Sequence, residues 1–274
     1  MRRIGIIGCG AIGTSLAKAI VEGKVKNGNL IALYDKIIDK AKKLSEELKI
    51  NVKVCKDFED FLDTKPDFVI EAASQEAVRD YSERILNINS ELMIMSAGAL
   101  LDDELRKRID EIAKRKGLRV YVPSGAIAGL DAIKAARNSK IYKVTLKTTK
   151  NPLSLLKAPY IVEKRINLKG IEEAKIIYEG PAEEAVKGFP TNINVSASLS
   201  LAGIGKRKTM VKIVADPKVN KNIHEIEVEG DFGKIYIKTE NELHPENPST
   251  SYLAFLSALE TLNSALSYGL VIGT

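Results

Sequence analysis

The chain is expected to fold as α/β, with a doubly wound parallel sheet followed by a second α+β domain built on a largely antiparallel sheet. Three observations predict this. Short apolar runs alternate with amphipathic helical runs through the first half. A Gly-x-Gly-x-x-Gly sequence sits where the first such run meets the first helix. Beyond about residue 130 the texture changes to strict polar/apolar alternation, the mark of strands with one face in water.

Taken in order, Ile4 to Ile7, Leu30 to Tyr34, Phe68 to Ile70, Leu92 to Met95 and Arg119 to Val122 read as buried strands. Thr14 to Val21, Lys40 to Leu48, Glu76 to Ile88 and Asp102 to Lys114 read as the helices between them. Strand, helix and strand in succession give right-handed crossovers and a parallel sheet covered on both faces, a Rossmann-type arrangement. Tyr142 to Thr148, Met210 to Ala215, His224 to Val228 and Lys234 to Lys238 alternate, and Glu229 to Gly233 is a hairpin turn between the last two. A helix is expected from about Asn192 to Leu201. A last one should run from Ser249 to Tyr268, with Pro248 suiting its first turn. The first domain should cover residues 1–129 together with about 247–274, and the second 130–246.

Composition narrows the function classes. The 274 residues are 45% hydrophobic, enough for a proper core. The net charge of +6 is dispersed among acids, with no basic arm, so nucleic acid is not expected as a partner. The apolar start at Ile4 to Ile7 is too short for a signal segment, and no run reaches the about 20 apolar residues that cross a bilayer. A cytoplasmic protein without a membrane partner is expected. The two cysteines, Cys9 and Cys55, have neither paired spacing nor nearby histidines, which gives no disulfide framework and no metal site.

In the turn Gly8-Cys9-Gly10-Ala11-Ile12-Gly13 each glycine has a task. Gly8 permits the tight turn, Gly10 lets backbone approach a pyrophosphate, and Gly13 lets helix and strand pack closely. The N-terminus of the helix opened by Ala11 and Ile12 then faces the phosphates. Asp35 closes the next strand, where its carboxylate can accept from both adenosine ribose hydroxyls and repel a 2′-phosphate. NAD is the expected cofactor, and the adjacent Lys36 leaves NADP possible. Cys9 reads as a small space-filler in the turn. Ala73 and Ser74, and Ala97 and Gly98, follow strands at their C-terminal ends, where small residues admit a cofactor or simply allow tight strand-to-helix packing.

Of the two histidines, His224 shares a strand face with Ile226 and Val228 while Glu225, Glu227 and Glu229 point the other way. It is either a catalytic base or a structurally packed imidazole. His244, before Pro245, reads as a surface residue.

Several blocks carry a resemblance: Pro123-Ser124-Gly125-Ala126-Ile127-Ala128-Gly129, Phe189-Pro190-Thr191-Asn192-Ile193-Asn194-Val195, Ala215-Asp216-Pro217, Asn222-Ile223-His224-Glu225-Ile226 and Asn247-Pro248-Ser249-Thr250-Ser251-Tyr252-Leu253. With the glycine turn they run in order along nearly the whole chain, which resembles the L-aspartate dehydrogenase family. The resemblance implies a homodimeric NAD(P)-dependent enzyme that oxidises L-aspartate, a dicarboxylic amino acid, to iminoaspartate. That product hydrolyses to oxaloacetate and ammonia or feeds quinolinate formation in NAD biosynthesis. It also implies His224 as the catalytic residue and Ala126 and Asn192 as cofactor contacts. Asn192 alternatively caps the helix that follows. Lys206, Arg207 and Lys208 form a cationic cluster that reads more simply as a solvated loop. Two other functions stay open: a related dehydrogenase of homoserine or another amino acid, and a non-catalytic NAD(H)-binding sensor.

Overall fold

A computed structural model describes residues 1–189, 194–245, 247–270 and 272. The chain divides into two units, one of residues 1–123 with 255–271 and one of residues 124–254 with 272–274.

The first unit runs β1 (Arg2–Ile7), α1 (Ala11–Val21), β2 (Gly28–Tyr34), α2 (Ile38–Leu48), β3 (Lys53–Val54), α3 (Phe58–Leu62), β4 (Phe68–Glu71), α4 (Gln75–Asn87), β5 (Glu91–Ile94), α5 (Asp103–Lys116) and β6 (Val120–Tyr121). The sheet order is β3-β2-β1-β4-β5-β6 with every pair parallel. The chain winds outward from β1 in one direction and then, from β4, in the other. That reversal opens a crevice at the C-terminal ends of the strands, the place where open α/β sheets bind ligands. The strands are apolar runs because both faces are covered: Ile4, Ile6, Phe68, Ile70 and Met93 are buried on one face and Ile7, Val69, Leu92 and Ile94 on the other. Ser74 caps α4 by accepting from the Ala77 N–H at 3.2 Å, and Asp102 caps α5 by accepting from the Glu104 and Leu105 N–H groups. Gly117, at φ 67°, then ends α5 in the left-handed region.

The second unit runs α6 (Leu130–Ala136), β7 (Ile141–Lys150), α7 (Pro159–Glu163), β8 (Lys175–Pro181), α8 (Ala182–Gly188), α9 (Asn194–Ala202), β9 (Thr209–Ala215), β10 (Asn222–Gly230), β11 (Gly233–Asn241), β12 (Leu243–His244) and β13 (Asn247–Ser251). Its larger sheet is ordered β11-β10-β7-β9-β8. All pairs are antiparallel except β7 with β9, which the long intervening segment brings alongside in the same direction. The hairpin closes through Gly230 opposite Gly233, leaving Asp231 and Phe232 at the turn. One face of this sheet is apolar, with Val144, Leu146, Ile226 and Val228 packed on Val195 and Leu199 of α9. The other is a lattice of ion pairs, among them Lys147 to Glu225 at 2.8 Å and Lys143 to Glu227 at 3.2 Å.

The last helix, α10 (Tyr252–Leu266), turns Phe255, Ala258, Leu262 and Leu266 into the core of the first unit. That spacing is helical, and burying each large side chain contributes about 1.5–3 kcal/mol.

Three differences from the sequence expectation have physical causes. The division between the units falls after Pro123, ahead of residue 129, because Ala126 and Ile127 pack with Ile133 and Val144 in the second unit's core. Pro248 lies in β13, ahead of the last helix, because Leu243 pairs with Ser251 and the Tyr252 N–H donates to the Glu242 carbonyl at 2.9 Å. The strand β8 was not visible in the pattern, since a bulge between Ile176 and Tyr178 breaks its alternation. Among the described residues no helix is long and apolar enough to cross a membrane.

Candidate active site

The first unit's site grows out of the turn after β1. Gly8 holds φ at +96°, and a Cβ there would lie 2.6 Å from the Ala72 backbone. A Cβ on Gly13 would lie 1.9 Å from the Gly8 carbonyl oxygen, so helix and strand approach as closely as glycine allows. Gly10 differs. A Cβ on it would meet nothing within 4 Å, so no protein atom requires a glycine there. It stands at the N-terminus of α1, which no side chain caps. A bare helix N-terminus behind an open, side-chain-free approach fits the pyrophosphate of a dinucleotide.

Asp35 ties the turn to the end of β2. Its carboxylate accepts from the Cys9 N–H and from the Ile37 N–H, each at 2.8 Å. A cleft is lined by Gly8, Gly10, Asp35, Ala73 and Ser74, and also by Lys36, Lys40 and Tyr81. The glycine turn, Asp35 and the small residues after β4 therefore meet in one place. Ala11, Ile12 and Gly13 form the first turn of α1 beside it. Ala97 and Gly98 do not line this cleft; they are buried in a single 3₁₀ turn, Ala97–Leu101, after β5. Lys36 reaches towards Glu76 at 3.5 Å and Asp80 at 3.8 Å. Lys40 was not anticipated, because nothing in its sequence neighbourhood distinguishes it from other solvated lysines of α2. Burial, with the Asp35 charge beside it, pushes the Cys9 thiol up to about 12, so it stays protonated and acts as filler.

The second unit's site lies on the inner face of its sheet. His224 sits on β10 between Thr148 of β7 and Thr239 of β11 and is 3% exposed. Its Nδ1 lies 3.0 Å from the Thr148 hydroxyl oxygen. Burial pushes the imidazole down to about 3, with the positive charge of Lys150 adding to the effect, so the ring is neutral at physiological pH. Lys150, two residues beyond Thr148 on the same face, is 5% exposed, and burial pushes it down to about 8. The register gave no warning of it, since a lysine closing an alternating strand ordinarily reaches solvent.

Around these residues runs a buried polar network. The Asn241 side-chain amide donates to the Ala126 carbonyl at 3.0 Å and to the Asn222 carbonyl at 3.3 Å, and the Thr239 hydroxyl donates to the same Ala126 carbonyl at 3.0 Å. The Asn222 amide donates to the Ser251 hydroxyl at 3.1 Å. The loop holding Ala126 is thus pinned to β11, the strand beside the one that carries His224. Asn192 lies outside the described residues. His244, expected at the surface, is instead 3% exposed, with its ring edge-on to Tyr252 at 5.8 Å between centroids. Pairing of β12 with β13 folds it inward, which a preceding-proline pattern cannot reveal. Lys206 pairs with Glu183 at 3.3 Å and is partly covered, whereas Arg207 is exposed. No cluster of metal-ligating side chains occurs among the described residues.

Comparison with known proteins accounts for both units. Residues 8–123 match the family described as homoserine dehydrogenase, NAD binding domain, and residues 131–265 match aspartate dehydrogenase, C-terminal. The chain is similar to the L-aspartate dehydrogenase of Methanosarcina barkeri, with 47% identity over 97% of this chain and 98% of that protein. It is 42% identical to the L-aspartate dehydrogenase of Methanocaldococcus jannaschii over the full length of both. The crystal structure of aspartate dehydrogenase from Thermotoga maritima superposes with a TM-score of 0.75 at 32% identity, covering 99% of each chain. A relative this similar over this much of its length, on a fold with the glycine turn and the buried histidine in place, means that the chain belongs to the L-aspartate dehydrogenase family.

Proposed function

We propose that the protein oxidises L-aspartate to iminoaspartate with NAD as the hydride acceptor, NADP being an alternative cofactor, and that the imine then takes up water to give oxaloacetate and ammonia. The observation that carries the reading is His224, a buried and uncharged imidazole held by Thr148 on the inner sheet face. Gly8, Gly10, Ala11, Ile12, Gly13 and Asp35 hold the dinucleotide, with Ala73, Ser74, Ala97, Gly98, Ala126 and Asn192 as further contacts. When bound, the nicotinamide supplies the acceptor for the hydride that leaves the substrate α-carbon.

The protein's own task is to move protons and hold charge. An amine becomes an imine only after its nitrogen has shed the ammonium proton, so a base must lie within hydrogen-bond reach. In the tautomer whose Nδ1–H donates to the Thr148 hydroxyl, the His224 Nε2 presents its lone pair and takes that proton. In the ligand-free protein the ring resists protonation because it is dry and faces Lys150. The two carboxylates of aspartate bring compensating negative charge, which raises the imidazole towards working pH. Lys150 is the candidate cation for one of those carboxylates, since charge-assisted pairing is strong where water is excluded. A homodimer is part of the reading: β11 and β8 are the open edges of the second sheet, and such edges are commonly covered by a partner.

Steady-state NADH formation with L-aspartate, L-homoserine, L-glutamate and L-alanine tests the substrate. The highest kcat/KM is expected with L-aspartate. Equal or better turnover on a competitor would reassign the substrate, and tight NADH binding without turnover on any of them would favour a sensor.

A further inference from the structure

Glu71, the last residue of β4, is a carboxylate that neither the glycine turn nor the histidine site uses, yet it is 1% exposed. Burying an ionised carboxylate is costly unless donors surround it. Here four do. Oε1 accepts from the Ala73 N–H at 2.8 Å, the Ser74 N–H at 2.9 Å and the Ser96 hydroxyl at 2.9 Å, while Oε2 accepts from the Ser96 N–H at 3.0 Å. Burial pushes the carboxyl above its ordinary range and these hydrogen bonds pull against that shift. Because the surrounding groups donate, the pocket is built for an acceptor, which is the ionised form.

The donors belong to two different turns. Ala73 and Ser74 follow β4, and Ser74 also caps α4 and lines the dinucleotide cleft. Ser96 follows β5 and starts the buried turn Ala97–Leu101. We infer that Glu71 is a positioning residue whose carboxylate clamps the turns after β4 and β5 together, fixing the cleft wall against which the dinucleotide is held. This rests on the reading that the cleft takes NAD. An apolar side chain at this place would fill the space but strand three buried N–H groups without a partner.

The two oxygens divide the labour, which makes the clamp testable. In Glu71→Gln the amide oxygen can keep the three bonds of Oε1, but the amide NH₂ then faces the Ser96 N–H, donor against donor. The turn after β4 should stay in place and the turn after β5 should come loose. In the cofactor-free protein, amide exchange should quicken at residues 96–98 and stay slow at residues 73–74. The NADH dissociation constant, from a fluorescence titration, should rise about tenfold, because binding must first re-order the loosened turn that backs the cleft wall. A folded Glu71→Gln variant with wild-type exchange at residues 96–98, or with wild-type NADH affinity, would overturn the clamp. Should Glu71→Gln fail to fold, Ser96→Ala removes only the hydroxyl bond. About threefold weaker NADH binding would then support the clamp, and unchanged binding would overturn it. Failure of the unaltered protein to bind NADH would overturn the dinucleotide reading, and the clamp with it. Normal binding by both proteins would overturn the clamp alone.

Discussion

The candidate sites of the two units draw on different levels of the chain. The first works with backbone: a bare helix N-terminus, a turn too tight for Cβ atoms, and strand ends lined by alanine and serine. The second works with side chains that have been taken out of water, namely His224, Thr148, Lys150 and Asn241, which pins the loop at Ala126. A backbone site tolerates many side chains but almost no change of glycine. A buried side-chain site depends on the charge state of each member, because in a dry interior an unpaired or wrongly protonated group is expensive. Substitutions in the two units should therefore fail in different ways.

The largest effect is expected within the glycine turn, and it separates two glycines. Gly13→Ala forces a Cβ into the Gly8 carbonyl, which cannot yield without parting α1 from β1, so a loss of ~3 kcal/mol or more in unfolding free energy is expected along with NADH binding. Gly10→Ala should leave the melting temperature almost unchanged, since nothing lies near the new methyl, and still weaken NADH by at least about tenfold by blocking the pyrophosphate. Calorimetry and fluorescence titration of both variants give the answer. Equal behaviour of the two would mean that the turn is a packing feature and not a cofactor cradle.

In the second unit, Thr148→Val keeps shape but removes the hydroxyl that holds the His224 ring through Nδ1. A fall of about tenfold in kcat is expected, with NADH affinity unchanged. Loss of affinity without loss of kcat would break the comparison.

Acid should distinguish the buried groups by sign. The His224 imidazole titrates at about 3 when folded against 6.5 ordinarily, so the unfolded chain takes up the proton first. Its stabilising contribution is present above pH 6.5 and is lost as pH falls towards 3, by up to about 1.4 kcal/mol per pH unit. Glu71 acts in the opposite sense. Burial raises its folded carboxyl above 4.5, so ionising it inside the clamp costs stability as pH rises through the folded value, and the four donors offset part of that cost. Thermal unfolding from pH 4 to 7 should therefore show a slope that flattens in His224→Gln; an unchanged slope would mean that the imidazole is charged in the folded protein.

The smallest effect concerns cofactor preference. Asp35→Ser removes the charge that repels a 2′-phosphate, and the ratio of kcat/KM for NADP over NAD should rise by about tenfold. The Cys9 and Ile37 N–H groups lose their shared acceptor at the same time, so a small drop in melting temperature should accompany it.

The contrast between the units also explains what could be read beforehand. A backbone site leaves its mark in the sequence, because only glycine fits at positions such as Gly8 and Gly13. The inward face of His224 was legible from alternation, since period two puts it beside Ile226 and Val228, whereas its catalytic role came only from the family resemblance. Lys150 and His244 were hidden. The first closes a strand where a lysine normally reaches water, and the second turns inward only because β12 finds β13. Glu71 was hidden for another reason: its four donors come from two turns, and the bonds to Ser96 span 25 residues of sequence. The mixed character of the second sheet was likewise beyond reach, as strand patterns carry no record of direction.

The most direct test of the whole account is the turnover of His224→Ala with L-aspartate and NAD, measured beside its NADH affinity. Loss of at least ~100-fold in kcat with unchanged affinity is expected for removal of a positioned base. Turnover retained within a few fold would show that the imidazole merely packs, and the reaction assigned to the second unit would have no proton acceptor.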